Sequence, residues 1–120
     1  MALCVASGTA VARLAIAAFT LAWTHSVEWL PWEEDWRIEG DRLIAVESRV
    51  QGSGAGMTVP DGAVLAGGVW RYRPELPPLP ELVLANSGAV PDWRLCVAGV
   101  CRPLGALVPA AGAVFRLRPC

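Results

Sequence analysis

The sequence predicts an all-β domain, an antiparallel β-sandwich or small barrel of about eight short strands, with residues 1–120 forming one unit. Three observations carry this. Helical periodicity is nearly absent, whereas short runs with the period of two expected of a half-buried strand recur along the chain. Turn formers bound those runs, 12 Gly and 10 Pro among 120 residues. Hydrophobic residues are 54% and charged residues 18%, so there is apolar surface enough for a core and too little net charge for disorder.

The first 24 residues are almost wholly apolar, with Arg13 as their only charge. A membrane helix needs roughly 20 apolar residues, and Arg13 divides the stretch into runs of twelve and eleven. An export signal carries its positive charge ahead of the apolar run, and here the arginine sits in the middle, with Ala15-Ile16-Ala17 as a weak cleavage-like triplet. Two strands are the stronger reading. Residues 2–6 end in Ser7-Gly8-Thr9, and residues 18–28 place Phe19, Leu21 and Trp23 on one face and Thr20, Ala22 and Thr24 on the other. Further on, residues 42–50 alternate Leu43, Ala45, Glu47 and Arg49 against Ile44, Val46, Ser48 and Val50. Val69 to Arg73 is a strand that Pro74 ends, and Pro77-Pro78-Leu79-Pro80 reads as a polyproline connector. Residues 82–85, 93–97 and 114–117 complete the set.

Ten cations, all Arg, against eleven acids give a net charge of −1. No basic field exists to neutralise a phosphate backbone, which argues against nucleic acid as a partner. Four cysteines, Cys4, Cys96, Cys101 and Cys120, allow three disulfide connectivities. Cys96 and Cys101 flank Val97-Ala98-Gly99-Val100, and a two-residue turn at Ala98-Gly99 sets them opposite one another, with Cα atoms expected about 4.4–6.8 Å apart. A bridge from Cys4 to Cys120 is the second pairing, and four buried thiols in a reducing compartment the competing one.

Catalytic and metal-binding patterns are thin. His25 is the one imidazole; in a strand, Ser26 and Glu28 point to the opposite face from it. No Cys-x-x-Cys occurs, and the acids at 28, 33, 34 and 35 lack the alternating spacing and Gly of a calcium loop, so neither a metal nor another cofactor is expected. The Gly52-Ser53-Gly54-Ala55-Gly56 segment lacks the Lys-Ser or Lys-Thr and the helix of a phosphate loop. Residues 29–41 are the unusual stretch: Trp29, Trp32 and Trp36 stand among Glu33, Glu34, Asp35, Glu39 and Asp41. If extended, the segment puts Trp32 and Trp36 on one face and Glu33 and Asp35 on the other, so that the rings pack while those acids read a partner.

Four blocks in order carry a resemblance: Phe19-Thr20-Leu21-Ala22-Trp23-Thr24-His25-Ser26-Val27-Glu28, then Trp32-Glu33-Glu34-Asp35-Trp36, then Ser53-Gly54-Ala55-Gly56-Met57, then Leu95-Cys96-Val97 with Cys101-Arg102-Pro103-Leu104. Together they resemble the bacterial family called domain of unknown function 1850. That resemblance implies an accessory or sensing module on the periplasmic side, associated with the membrane subunit or solute-binding protein of a tripartite ATP-independent periplasmic (TRAP) transporter, and implies no enzyme. The sequence thus leads to a non-catalytic binding module, periplasmic or membrane-associated, with His25, Ser26, Glu28, Trp32, Glu33, Asp35, Trp36, Gly54, Gly56 and Met57 as candidate binding residues. The alternative is a small hydrolase or metal-dependent enzyme using His25, Glu28 and Glu33.

Overall fold

A computed structural model describes residues 1–24, 31–51, 60–85, 93–108 and 114–120. Eleven strands and one short helix occur there, in the order β1 (Leu3–Ser7), β2 (Ala10–Leu14), β3 (Ala18–Thr24), β4 (Pro31–Glu39), β5 (Arg42–Gln51), β6 (Val64–Ala66), β7 (Val69–Tyr72), β8 (Leu82–Ala85), β9 (Arg94–Val97), β10 (Val100–Pro103), α1 (Leu104–Leu107) and β11 (Val114–Pro119). They form two antiparallel sheets: a four-stranded one, β2-β1-β11-β8, and a seven-stranded one, β10-β9-β3-β4-β5-β7-β6. The sandwich reading holds, with more strands than the eight expected. The additions have physical causes. Ala10–Leu14 is too poor in large residues to announce itself, yet it folds back on β1 through the Gly8 turn and packs Ala10, Ala12 and Leu14 on the core. Val64–Ala66 gains strand character only from its pairing with β7. The Pro77–Pro80 connector is docked at one point, where Leu79 exchanges both backbone hydrogen bonds with Leu43 (2.7 and 3.0 Å).

Alternation decides which side chains meet between the sheets. Leu3 and Val5 of β1 and Phe115 and Leu117 of β11 face Phe19 and Leu21 of β3, Trp36 and Ile38 of β4, Leu43 and Ala45 of β5, and Leu95 of β9. Leu104, at the head of α1, is fully buried and anchored by its N–H to the Trp93 carbonyl at 2.8 Å. Each such side chain contributes about 1.5–3 kcal/mol of burial.

The face assignment of β5 differs from simple alternation. Asp35 lies opposite Glu47 but Trp36 opposite Ala45, so Val46 is an extra residue, a β-bulge. The bulge reverses parity midway. Leu43 and Ala45 point inward before it, Ser48 and Val50 point inward after it, and Glu47 and Arg49 turn outward. A continuous period of two would have sent a glutamate and an arginine into the same layer as Leu43.

Both disulfides are formed. Cys96 and Cys101 are directly opposed across the β9–β10 hairpin, with Ala98 (φ 50°) and Gly99 (φ 80°) supplying the two positive-φ positions of its turn. Their Cα separation of 4.0 Å is shorter than the expected window of about 4.4–6.8 Å and shorter than the roughly 4.5 Å of an ordinary opposed pair. Cys4–Cys120 ties β1 to the residue after β11, Cα atoms 5.8 Å apart and 116 residues apart in sequence. In the chain-entropy picture the long loop is worth about 5 kcal/mol and the hairpin loop about 2.

Candidate functional site

Two faces of the seven-stranded sheet carry chemistry, and β4 serves both. Outward from it point Glu33, Asp35 and Arg37; inward point Trp32, Glu34, Trp36 and Ile38.

On the outer face Arg49 is the centre of a charge ladder. Its two terminal nitrogens grip Asp35 (Nη1–Oδ2 2.7 Å, Nη2–Oδ1 2.8 Å), and Nη1 also reaches Glu47 Oε1 at 2.9 Å. Nε lies 3.5 Å from Glu33. Thr20, opposite Asp35 on β3, donates to Asp35 Oδ1 at 2.6 Å, and Arg71 of β7 donates to Glu47 at 3.1 Å. Arg49, hydrogen-bonded to it, holds the Asp35 carboxyl below the ordinary carboxylate range, and the guanidinium is correspondingly harder to deprotonate. Glu33 and Asp35 thus share the face that parity predicted, but Arg49 occupies the space between them. Beside this ladder a shallow groove of about 410 Å³ runs over Thr20, Asp35, Val46 and Cys96.

The inner face is aromatic at one end. The register aligns Trp23 with Trp32, Trp32 with Val50, and Val50 with Trp70, while Trp93, immediately before β9, lies beyond Trp23. Ring centroids are 4.8 Å apart for Trp93–Trp23 and 6.0 Å for Trp23–Trp32, both tilted near 45–50°, within the range where aromatic pairs attract. Trp93 Nε1 donates to the Ala85 carbonyl at 3.0 Å, pinning the end of β8 to the end of β9 across the two sheets. The row behind reads Leu95, Leu21, Glu34, Ser48 and Tyr72. Glu34 therefore stands between fully buried Leu21 and nearly fully buried Ser48, two residues along β4 from Trp32 on one side and Trp36 on the other. Burial raises its carboxyl above the ordinary range, and the Trp36 indole N–H pulls it part of the way back. That indole nitrogen is wholly buried and completes no hydrogen bond of normal geometry.

Trp32 and Trp36 share the inner face, as parity predicted. Trp36 is buried at 3% exposure and belongs to the core cluster. Glu34 was overlooked as a site residue, although it has the parity of the two tryptophans; counting in twos from Trp32 finds it. His25, Ser26 and Glu28, and Gly54, Gly56 and Met57, lie outside the described residues. The flanking strand ends do not: Thr24 pairs with Pro31, and Gln51 follows Val50, which is opposite Trp32. The described residues Thr24, Pro31 and Gln51 all lie at the tryptophan end of the sheet. Cys96 and Cys101 sit at the opposite side of Thr20 from Asp35.

A two-sheet antiparallel sandwich, stapled twice by disulfides and carrying a tryptophan row at one end, defines a small all-β module. The chain belongs to the family Domain of unknown function (DUF1850), whose family model matches residues 19–104. That span contains the seven-stranded sheet, except Ala18 at the start of β3, together with β8, and leaves β1, β2 and β11 outside. No curated protein and no solved structure matches the chain.

Proposed function

We propose that this protein is a non-catalytic binding module on the periplasmic side of the membrane, accessory to a TRAP transporter and engaging its membrane subunit or its solute-binding protein. The observation that carries the binding role is the inward row Trp93, Trp23, Trp32, of which Trp23 and Trp32 come from two of the four resemblance blocks. Partly exposed aromatic rings held on a rigid scaffold supply large contact area at small entropic cost, which favours a recognition role. The disulfides support an oxidising compartment, in which such bridges persist. The compartment and the transporter association rest on the family resemblance and these bridges together. For the hydrolase alternative, Glu33 is engaged by Arg49 on the outer face, turned away from the tryptophan row.

The test is co-purification from native membranes with the tagged chain, identifying partners by mass spectrometry. Recovery of a TRAP membrane subunit or solute-binding protein, lost in a folded Trp32→Leu variant, is the expected result. Recovery of neither, with the chain correctly folded and exported, would remove the transporter from the assignment.

A further inference from the structure

Among the described residues, the inner face of the seven-stranded sheet carries one ionisable acid. Its central side chains are Trp93 and Leu95; Phe19, Leu21 and Trp23; Trp32, Glu34, Trp36 and Ile38; Leu43, Ala45, Ser48 and Val50; Trp70 and Tyr72, with Arg102 of the edge strand β10 opposite Leu95. The other acids of the central strands are neutralised: Asp35 by Arg49, Glu47 by Arg49 and Arg71, Glu39 by Arg37, and Glu33 lies within 3.5 Å of Arg49. No described arginine pairs with Glu34: the sheet itself separates it from Arg49 and Arg71, and Arg102, on the same face, lies three strands away on the exposed edge strand β10. A carboxyl held half-buried among indoles without a countercharge costs stability, and an apolar residue there would remove the cost. Next to it the buried Trp36 indole N–H favours the charged form of Glu34 but completes no hydrogen bond of normal geometry, so this one neutral donor does not replace a countercharge.

Indole faces beside one uncompensated carboxylate are the elements of a site for an organic cation: the carboxylate supplies the countercharge and the rings supply cation–π attraction over distances up to about 6 Å. Along β4, Trp32 and Trp36 flank Glu34 at about 7 Å between Cα atoms, so a small cationic head at the carboxylate lies within reach of a ring. We infer that Glu34 and Trp32, backed by Trp23, bind the ammonium head of a small organic solute at the tryptophan end of the sandwich. This names the ligand class of the binding module proposed above and rests on that reading of the tryptophan row. The head group is an alkylammonium or trimethylalkylammonium ion; an anion would meet the carboxylate's repulsion, and a neutral isostere would forgo both attractions.

The experiment titrates the full-length, oxidised protein with n-butylammonium, choline and, as neutral control, n-butanol, following tryptophan fluorescence and calorimetry. Saturable binding of at least one cation, with n-butanol weaker by about tenfold or more, is expected. Glu34→Gln should weaken the cation by about tenfold while its melting temperature is unchanged or raised, which separates lost binding from lost fold. Glu33→Gln, on the opposite face, should bind as the parent does, and Trp32→Leu should bind more weakly. Equal binding of cation and n-butanol, equal binding in Glu34→Gln, or no saturable response at millimolar concentrations would each overturn the assignment. If those failures coincide with retained co-purification of a transporter component, the ligand class alone is wrong; if cation binding is present and co-purification fails, the site stands and the transporter role falls.

Discussion

Removing Arg49 tests whether the outer face is held together by its charges or only decorated by them. Two hydrogen bonds of 2.7 and 2.8 Å to Asp35 form a bidentate pair, the strongest geometry available to an ion pair. The Arg49 side chain is only 17% exposed, so solvent screens it less than a rim residue. Fully exposed pairs contribute about 0–1 kcal/mol, and hydrogen bonds to charged groups in drier settings about 1.5–3. With Asp35 one-third exposed, a coupling of about 2 kcal/mol lies between these limits. Asp35→Asn is expected to cost about 1–2 kcal/mol, because Glu47 and Glu33 still attend the guanidinium. Arg49→Met should cost more, about 3 kcal/mol, since it leaves Glu33, Asp35 and Glu47 facing one another. Urea denaturation of the parent, both single variants and the double variant gives the coupling directly. A coupling below about 0.5 kcal/mol would show the ladder to be an ordinary surface array and refute the reasoning.

Trp36→Ala removes a 3%-exposed indole from the core cluster and should cost about 3–5 kcal/mol in the same assay, whereas Glu33→Gln, on a side chain 44% exposed, should stay within about 0.5. Neighbours on β4 should show opposite pH dependence. Asp35, lowered in the folded state, stabilises above its unfolded pKa of 3.8 and loses that contribution as pH falls through the folded value. Glu34, raised in the folded state, favours folding below 4.5 and opposes it as pH rises through the folded value, so Glu34→Gln should be more stable than the parent at neutral pH and no more stable well below 4.5. Non-reducing peptide mapping should find Cys4–Cys120 and Cys96–Cys101, and eliminating the first by paired Ser substitution should cost more than eliminating the second, about 5 against about 2 kcal/mol. Ala98→Asn should raise stability by about 0.5–1 kcal/mol, because Ala98 holds a positive φ that Asn tolerates better, and a thermal melt would show it.

What the sequence conveyed depended on whether information was local. The Ala98-Gly99 turn and its flanking cysteines are a six-residue statement, and the hairpin forms as read. The strand at Ala18–Thr24 also followed from parity alone. Two other features required knowledge of a neighbour. The bulge at Val46 is invisible to a count in twos along residues 42–50, because it is defined by how Glu47 and Ala45 meet Asp35 and Trp36 on β4. Likewise the expectation that Glu33 and Asp35 face outward was sound, but nothing local told that Arg49, fourteen residues from Asp35, would satisfy them. The β4 acid that no described arginine pairs is Glu34, which the same parity puts among the rings.

The Cys4–Cys120 bridge has a mechanical consequence. β1 and β11 are neighbours, and the sulfur–sulfur bond lies beside their pairing, where Cys120 N–H also bonds the Ala2 carbonyl. Tension applied between residues 4 and 120 passes through that covalent bond and bypasses the hydrogen-bonded ladders. Pulled in this way, the sandwich behaves as a closed ring: it transmits force at almost no extension while oxidised, and only after reduction would the 116-residue span between the cysteines become available to lengthen.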